Sequence, residues 1–419
     1  MAGSVKLSIL YYFLLSILIL YALKVESDRP PLFQALYVFG DSMVDPGNNN
    51  DLLTLAKANF HPYGKDFLNA TPTGRFTNGK LATDILSQLM GLPDLVPAYN
   101  DPEFKGQKLL RGVSFASAAA GLEDSTSNLY NVITLGKQVE NFRNYKEQLA
   151  NIIGQADARK IVSEALYVIS MGTNDFILNY YLNPLRRKQY NITQWQDLLI
   201  NSLERFIQNI SKEGATRLAI VGVPPFGCLP SQIALYNPFG NTCYKKLNKV
   251  ATSFNSKMMN LIQKMNSSLE DLRIDYFHLY GKLYDIVKNP RKYGFEESRR
   301  GCCGKGGILT PTLCYKGSPS CSDVSKYVFW DGNHPTSRTY VIIANDFLQL
   351  LAWNAQDGDA AVLLIANDHK LNDTLGKDEK IIIKLDWSKS MPRPDKRLEY
   401  EFWTKRNYES NLVDYTAKQ

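Results

Sequence analysis

The chain has few of the residues that most often carry metal or nucleotide chemistry. It holds only four histidines and six cysteines in 419 residues, and every cysteine falls between Cys228 and Cys321. Cys302, Cys303 and Cys314 lack the paired C-x-x-C spacing of a zinc site, so no metal is expected. The run Gly301-Cys302-Cys303-Gly304-Lys305-Gly306-Gly307 lacks both the G-x-x-x-x-G-K-[ST] spacing and a strand ahead of it, which excludes a phosphate loop. No cofactor is expected either. The formal net charge of +7 is scattered, and Lys and Arg form no stripe interleaved with aromatics, which argues against nucleic acid as a partner. That balance fits a basic exported protein meeting anionic surfaces such as cell wall.

One long apolar run is present, and it stands at the start. Lys6 gives a charged beginning, the stretch 7–23 is almost unbroken in its apolarity, and Val25 and Ser27 suit cleavage before Asp28. Residues 1–27 are therefore expected to be a secretion signal. The rival reading is an uncleaved anchor, since the run is nearly long enough to span a bilayer. The small residues just past it favour the signal, leaving no stable transmembrane segment once it is removed. Secretion, to the extracellular space or cell wall, makes disulfides the natural use of an even cysteine count. Their connectivity is not legible, but the bridges are expected to staple the loop segment ahead of Asp331. Sequons at Asn69, Asn191, Asn209, Asn266 and Asn372 also fit an exported surface.

Past the signal, short apolar runs alternate with longer amphipathic ones. Strands are expected at 35–39, 165–170, 217–221 and 274–279, with a weaker one near 112–115; helices are expected at 81–90, 139–149, 195–211 and 245–269. Such alternation predicts an α/β fold around a central parallel sheet with helices on both faces. Pro335 precedes a run with Val341, Ile342, Phe347, Leu348 and Leu351 at helical spacing, which predicts a helix over 336–353.

The chemistry is carried by residues far apart in sequence. Leu36-Tyr37-Val38-Phe39-Gly40-Asp41-Ser42 reads as a buried strand running into an exposed serine. Asp331-Gly332-Asn333-His334-Pro335 supplies an acid and an imidazole three positions apart, a spacing one turn closes. Serine is a poor nucleophile unless a base takes its proton, and that base needs a carboxylate to hold its tautomer. His61, His278 and His369 sit in no comparable arrangement. Taken alone, Ser42 is equally suited to cap a helix, and Asp-Gly-Asn and His-Pro are ordinary turn residues. Together they predict a serine hydrolase with Ser42, His334 and Asp331 as nucleophile, base and orienting acid.

Four blocks sharpen this. Phe39-Gly40-Asp41-Ser42-Met43-Val44-Asp45-Pro46-Gly47-Asn48-Asn49 resembles the first block of the plant GDSL esterase/lipases, a branch of the SGNH hydrolases. The run from Gly112 to Gly121, Gly172-Thr173-Asn174-Asp175, and the segment from Asp331 to Thr336 resemble the second, third and last blocks. The blocks lie in the family's order over roughly residues 34–353. The resemblance implies a flavodoxin-like three-layer fold with the site at the carboxyl ends of the strands, where Ser42 and Asn174 each stand just past a strand. It also implies an oxyanion hole made by the Asn174 side-chain amide, a backbone N–H at Ala118 or Ala119, and the Ser42 N–H. Many relatives have Asn where Ser114 stands and glycines at Ala118 and Ala119. An alanine N–H donates as well as a glycine's if φ stays negative there, so the donor's register is open by one residue. Asp45, Asn48 and Asp175 are expected to shape turns.

The implied activity is hydrolysis of small-molecule or lipid carboxylic esters. Acyl transfer to an alcohol through the same acyl-enzyme is a second possibility. A non-catalytic binding or sorting-related protein is a third, because the chain runs on past the hydrolase domain expected at 28–354. Residues 355–419 form an irregular C-terminal extension richer in Lys and Asp. Lys384-Leu385-Asp386-Trp387 and Arg397-Leu398-Glu399-Tyr400-Glu401-Phe402-Trp403 resemble a fragment of the lumenal region of plant vacuolar sorting receptors.

Overall fold

The computed structural model describes residues 33–239, 242–304 and 314–354. The signal segment, the extension 355–419 with Asn372, and the glycine-rich stretch 305–313 lie outside the described residues. Five strands form one parallel sheet: β1 (Leu36–Gly40), β2 (Gly112–Ser114), β3 (Leu166–Ser170), β4 (Arg217–Val221) and β5 (Arg273–Phe277), in the order β2-β1-β3-β4-β5. This is the flavodoxin-like order. Every residue of β1 and of β3 is buried. Successive side chains of a strand point to opposite faces, so burial of all five means that both faces are covered.

The helices that cover the sheet follow the expected apolar spacing. They are α1 (Ala82–Leu89), α2 (Leu135–Ile153), α3 (Ile192–Lys212), α4 (Lys245–Ser268), α5 (Leu279–Lys288) and α6 (Ser337–Asn354). In α3 the buried stripe Trp195, Leu199, Leu203, Phe206 and Ile210 recurs at helical spacing. The helix begins at a capping box in which Asn191 accepts from the Gln194 N–H and Gln194 accepts from the Asn191 N–H, an N-cap worth about 1 kcal/mol. Among the described residues no helix is long and apolar enough to cross a membrane.

Both sheet edges are closed. At β2 the Ser114 N–H donates to Pro97 O and Ser114 O accepts from the Tyr99 N–H. At β5 the Asn266 side chain accepts from the Ile274 N–H and donates to Ile274 O. A single amide thus stands in for a sixth strand and blunts an edge that would otherwise invite pairing.

Strand 217–221 falls where the sequence places it. The β5 expectation ran two residues too far: Phe277 ends the strand, and His278 already stands at the N-cap of α5. A second, two-stranded parallel sheet was not foreseen. It pairs β6 (Glu297–Gly301) with β7 (Tyr327–Phe329). Disulfides Cys302–Cys321 and Cys303–Cys314 tie the chain directly beyond β6, and Cys228–Cys243 closes a loop elsewhere. With a sequence separation of 15 between its cysteines, the last contributes about 3 kcal/mol by the chain-entropy model.

The turn after β1 fixes the place of Ser42. Gly40 has φ of 153°, and its N–H and C=O bond the Gln138 side-chain amide of α2, each at 3.0 Å. A Cβ on Gly40 would lie 2.2 Å from Ser170 O. Gly40→Ala should therefore destabilise the protein by about 2–4 kcal/mol, read as a lower urea midpoint with unchanged slope. An unmoved midpoint would show that the β1–β3 junction has slack.

Candidate active site

Three strand ends converge. Gly40 and Ser170 are register partners on β1 and β3, so Ser42 lies two residues past one strand and Asn174 four past its neighbour. Ser117 N–H donates to Gly40 O and places the loop after β2 beside them. The fourth component comes from β7. There Trp330 N–H donates to His334 O at 2.7 Å and Thr336 N–H to Val328 O at 3.0 Å, closing the turn 330–336. Within it Asp331 Oδ1 accepts the N–H of Asn333 and of His334, both at 2.8 Å. This is the reason the acid precedes the imidazole by three: the carboxylate folds the turn that carries its own partner.

The three predicted residues meet. Ser42 Oγ lies 2.8 Å from His334 Nε2, and His334 Nδ1 lies 2.9 and 2.8 Å from the two oxygens of Asp331. Ser42 is 7% exposed and Asp331 not at all, so only the nucleophile end opens to a substrate. The Phe76 ring lies 4.9 Å from the imidazole, centroid to centroid. The cysteine-bearing loop supports the acid from behind. Cys302 N–H donates to Phe329 O and Cys303 N–H to Trp330 O, at 3.0 and 2.6 Å. The bridges thus staple the segment ahead of Asp331, as expected.

The loop 117–123 is held at both ends. Asp45 accepts from the N–H of Gly47, Asn48 and Ala118, the last at 2.9 Å. Asp175 accepts from the N–H of Leu122 and Glu123 and from Thr126 Oγ1. Between them Asn49 donates to Ala118 O and Asn174 donates to Ala120 O. This bears on two points the sequence left open. Ala118 N–H is committed to Asp45 and is not a free donor, while Ala119 N–H and Ser42 N–H meet no acceptor among the described residues. Ala119 has φ of 66°, so the backbone there is left-handed and the condition of negative φ fails. An alanine in that region is strained by about 1–2 kcal/mol, which accounts for glycine being the commoner choice. Asp45, Asn48 and Asp175 do shape turns, and they also bind the second block to the first and third. Ser114, where many relatives have Asn, donates to Val44 O at 3.0 Å, so the hydroxyl carries the link between these two blocks.

The exposed sequon residues Asn69, Asn191, Asn209 and Asn266 lie away from this constellation in sequence, with Asn191 and Asn266 spent on capping and edge contacts. His278 lies beyond β5, and His61 O accepts from the Gly317 N–H; among the described residues neither ring bonds a serine.

The sequence matches a known family. The chain fits the model of the GDSL-like Lipase/Acylhydrolase family over residues 36–347. It belongs to that family. Two GDSL esterase/lipases of Arabidopsis thaliana are 44% and 43% identical to it over 322 and 321 residues, 76% of this chain and 89% and 91% of theirs. A third relative there, GDSL esterase/lipase APG, is 42% identical over 315 residues, covering 75% of this chain and 89% of its own. Among solved structures, an extracellular lipase from Streptomyces rimosus aligns at a TM-score of 0.31 and 13% identity, covering 74% of this chain and 98% of that one. A likeness of that size carries no argument.

Burial gives the family's acidic block residues an unusual titration. Desolvation pushes Asp41 up to about 7 against the pull of the Met43 N–H and of His334. It pushes Asp45 to about 6 despite three backbone donors, and Asp175 to about 7 despite Thr126, Leu122 and Glu123. All three start from an ordinary 3.8. A carboxyl raised on folding binds its proton more tightly in the folded state. Its contribution to stability is complete below the unfolded value and is lost as pH rises through the folded one. The melting temperature should therefore fall from about pH 4 to about pH 7, and Asp175→Asn, which mimics the protonated acid, should flatten part of that fall. A fall of the same size in the variant would contradict the assignment.

Proposed function

We propose that this protein is a serine hydrolase of carboxylic esters that works through an acyl-enzyme on Ser42. The observation that carries the reading is the unbroken chain from Ser42 Oγ through His334 to Asp331, each link 2.8–2.9 Å long. Family membership and the esterase/lipase names of the relatives support ester bonds as the target.

In this reading His334 Nε2 takes the Ser42 proton as Oγ attacks the ester carbonyl carbon. The carbonyl oxygen becomes an oxyanion and receives the N–H groups of Ser42 and Ala119 and the remaining N–H of the Asn174 amide. Asp331 holds the ring and stabilises the imidazolium. His334 then returns the proton to the leaving alcohol, the ester C–O bond breaks, and water repeats the sequence to release the acid. The donors are fixed before substrate arrives, so they cost no reorganisation during the reaction.

The surrounding assignments follow from the same reading. The hydrolase domain is taken as 28–354, because the family match ends at residue 347 and α6 ends at Asn354. Secretion is supported by three disulfides, which persist in oxidising compartments.

Ser42→Ala should abolish labelling by a fluorophosphonate and leave only the roughly 10³–10⁴-fold acceleration over water that binding and oxyanion donors supply. A labelled, fully active alanine variant would mean another nucleophile. Asn174→Ala should lower kcat by roughly 10²–10³ with KM little changed, measured on p-nitrophenyl butyrate. A change in KM alone would make Asn174 a substrate-positioning group instead.

A further inference from the structure

We propose that Tyr63 is a positioning residue of the acid–imidazole pair, a fourth link in the chain that ends at Ser42. The inference rests on the serine-hydrolase reading. Tyr63 lies outside all four family blocks and 268 residues from Asp331, yet its hydroxyl donates to Asp331 Oδ2 at 2.8 Å. Both residues are wholly buried.

The bond completes the acid's surroundings. Oδ1 already accepts two backbone N–H groups from its own turn, while among the described residues Oδ2 has only the imidazole and Tyr63. Without the phenol, one oxygen of a carboxylate fully removed from water would rely on a single donor, the one that must move during catalysis. A buried acceptor short of donors is costly, and the phenol fixes the angle at which the carboxylate meets Nδ1. Tyr63 is itself fixed by rings: Phe60 at 5.5 Å, Phe76 at 5.6 Å and Trp330 at 6.4 Å. Phe76 also lies against His334, so one loop holds the acid by a hydrogen bond and the base by a ring face.

The phenol is a donor that keeps its proton. Burial, then the charge of Asp331 and the hydrogen bond itself, hold Tyr63 well above the ordinary tyrosine range. The other titratable groups facing the pair are Asp41, from the turn after β1, and Tyr340, from α6. Among the described residues neither donates to Asp331. Tyr340 points its hydroxyl at Met43 Sδ, and Asp41 accepts from the Met43 N–H. Tyr63 is thus the one side chain other than the imidazole seen to bond this carboxylate among the described residues.

A hydrogen bond to Oδ2 draws negative charge away from the imidazole. Removing it strengthens the hold of Asp331 on a protonated ring, so the acid limb of kcat/KM should move to higher pH. In Tyr63→Phe that limb, measured on p-nitrophenyl butyrate, should rise by about half to one pH unit. The kcat should fall roughly tenfold, with KM changed less than about twofold. Placing 3-fluorotyrosine at 63 keeps the shape, makes the phenol a stronger donor, and should move the same limb the opposite way. This isostere keeps the test decisive if the phenylalanine variant folds poorly. An acid limb unmoved in the folded variants, in an enzyme still labelled at Ser42 by a fluorophosphonate, would overturn the proposal alone. A wild-type enzyme that is not labelled would overturn the serine-hydrolase reading, and the proposal with it.

Discussion

A carboxylate with no exposure to water must be given donors by the protein, and the arrangement around Asp331 follows from that demand. Its own turn supplies two backbone N–H groups, the imidazole supplies a third donor, and Tyr63 supplies the fourth. To bring these together the chain closes the 330–336 turn, lays β7 beside β6, and pins the following loop with two disulfides. Gly301 shows how tight that support is: a Cβ there would lie 2.7 Å from the Asp331 carbonyl group. The peripheral sheet, which looks like decoration on a doubly wound core, is the platform for Asp331.

The same principle, donors assembled before they are needed, governs the other side of the reaction. Asp45 and Asp175 take up the amides at either end of the 117–123 loop and leave Ala119 N–H unclaimed. The fold accepts a left-handed alanine at that position, a cost of about 1–2 kcal/mol. In the proposed reading, in which Ala119 N–H is an oxyanion donor, such strain is offset because groups that need not reorganise stabilise the transition state most. Burial of three carboxyls beneath the nucleophile raises their proton affinity and ties the stability of this loop to pH.

Much of this was legible in sequence, and the failures have physical causes. Buried parallel strands read as continuous apolar runs, so Arg217–Val221 could be placed to the residue. The run Phe277-His278-Leu279 continued the same signal past the end of β5, where only tertiary packing separates strand from helix. Glu297–Gly301 is polar and held by its neighbours and the nearby disulfides, so no periodicity announces it as a strand. The meeting of Ser42, His334 and Asp331 was foreseeable because their local spacing is itself chemical. Tyr63 was not, since a hydroxyl that reaches across 268 residues leaves no local mark. The register of the backbone donor needed the structure as well: which of two alanine amides is free depends on Asp45, seventy-three residues earlier.

The central claim is that an ester's acyl group passes through Ser42, activated by the buried Asp331–His334 pair. The most direct measurement is rapid mixing with p-nitrophenyl butyrate, acid quenching within the first turnover, and peptide mass mapping. The account predicts a burst of p-nitrophenol and a butyryl mass on the peptide containing Ser42. Turnover without a burst and without any acylated peptide, or an acyl mass on another residue, would contradict it.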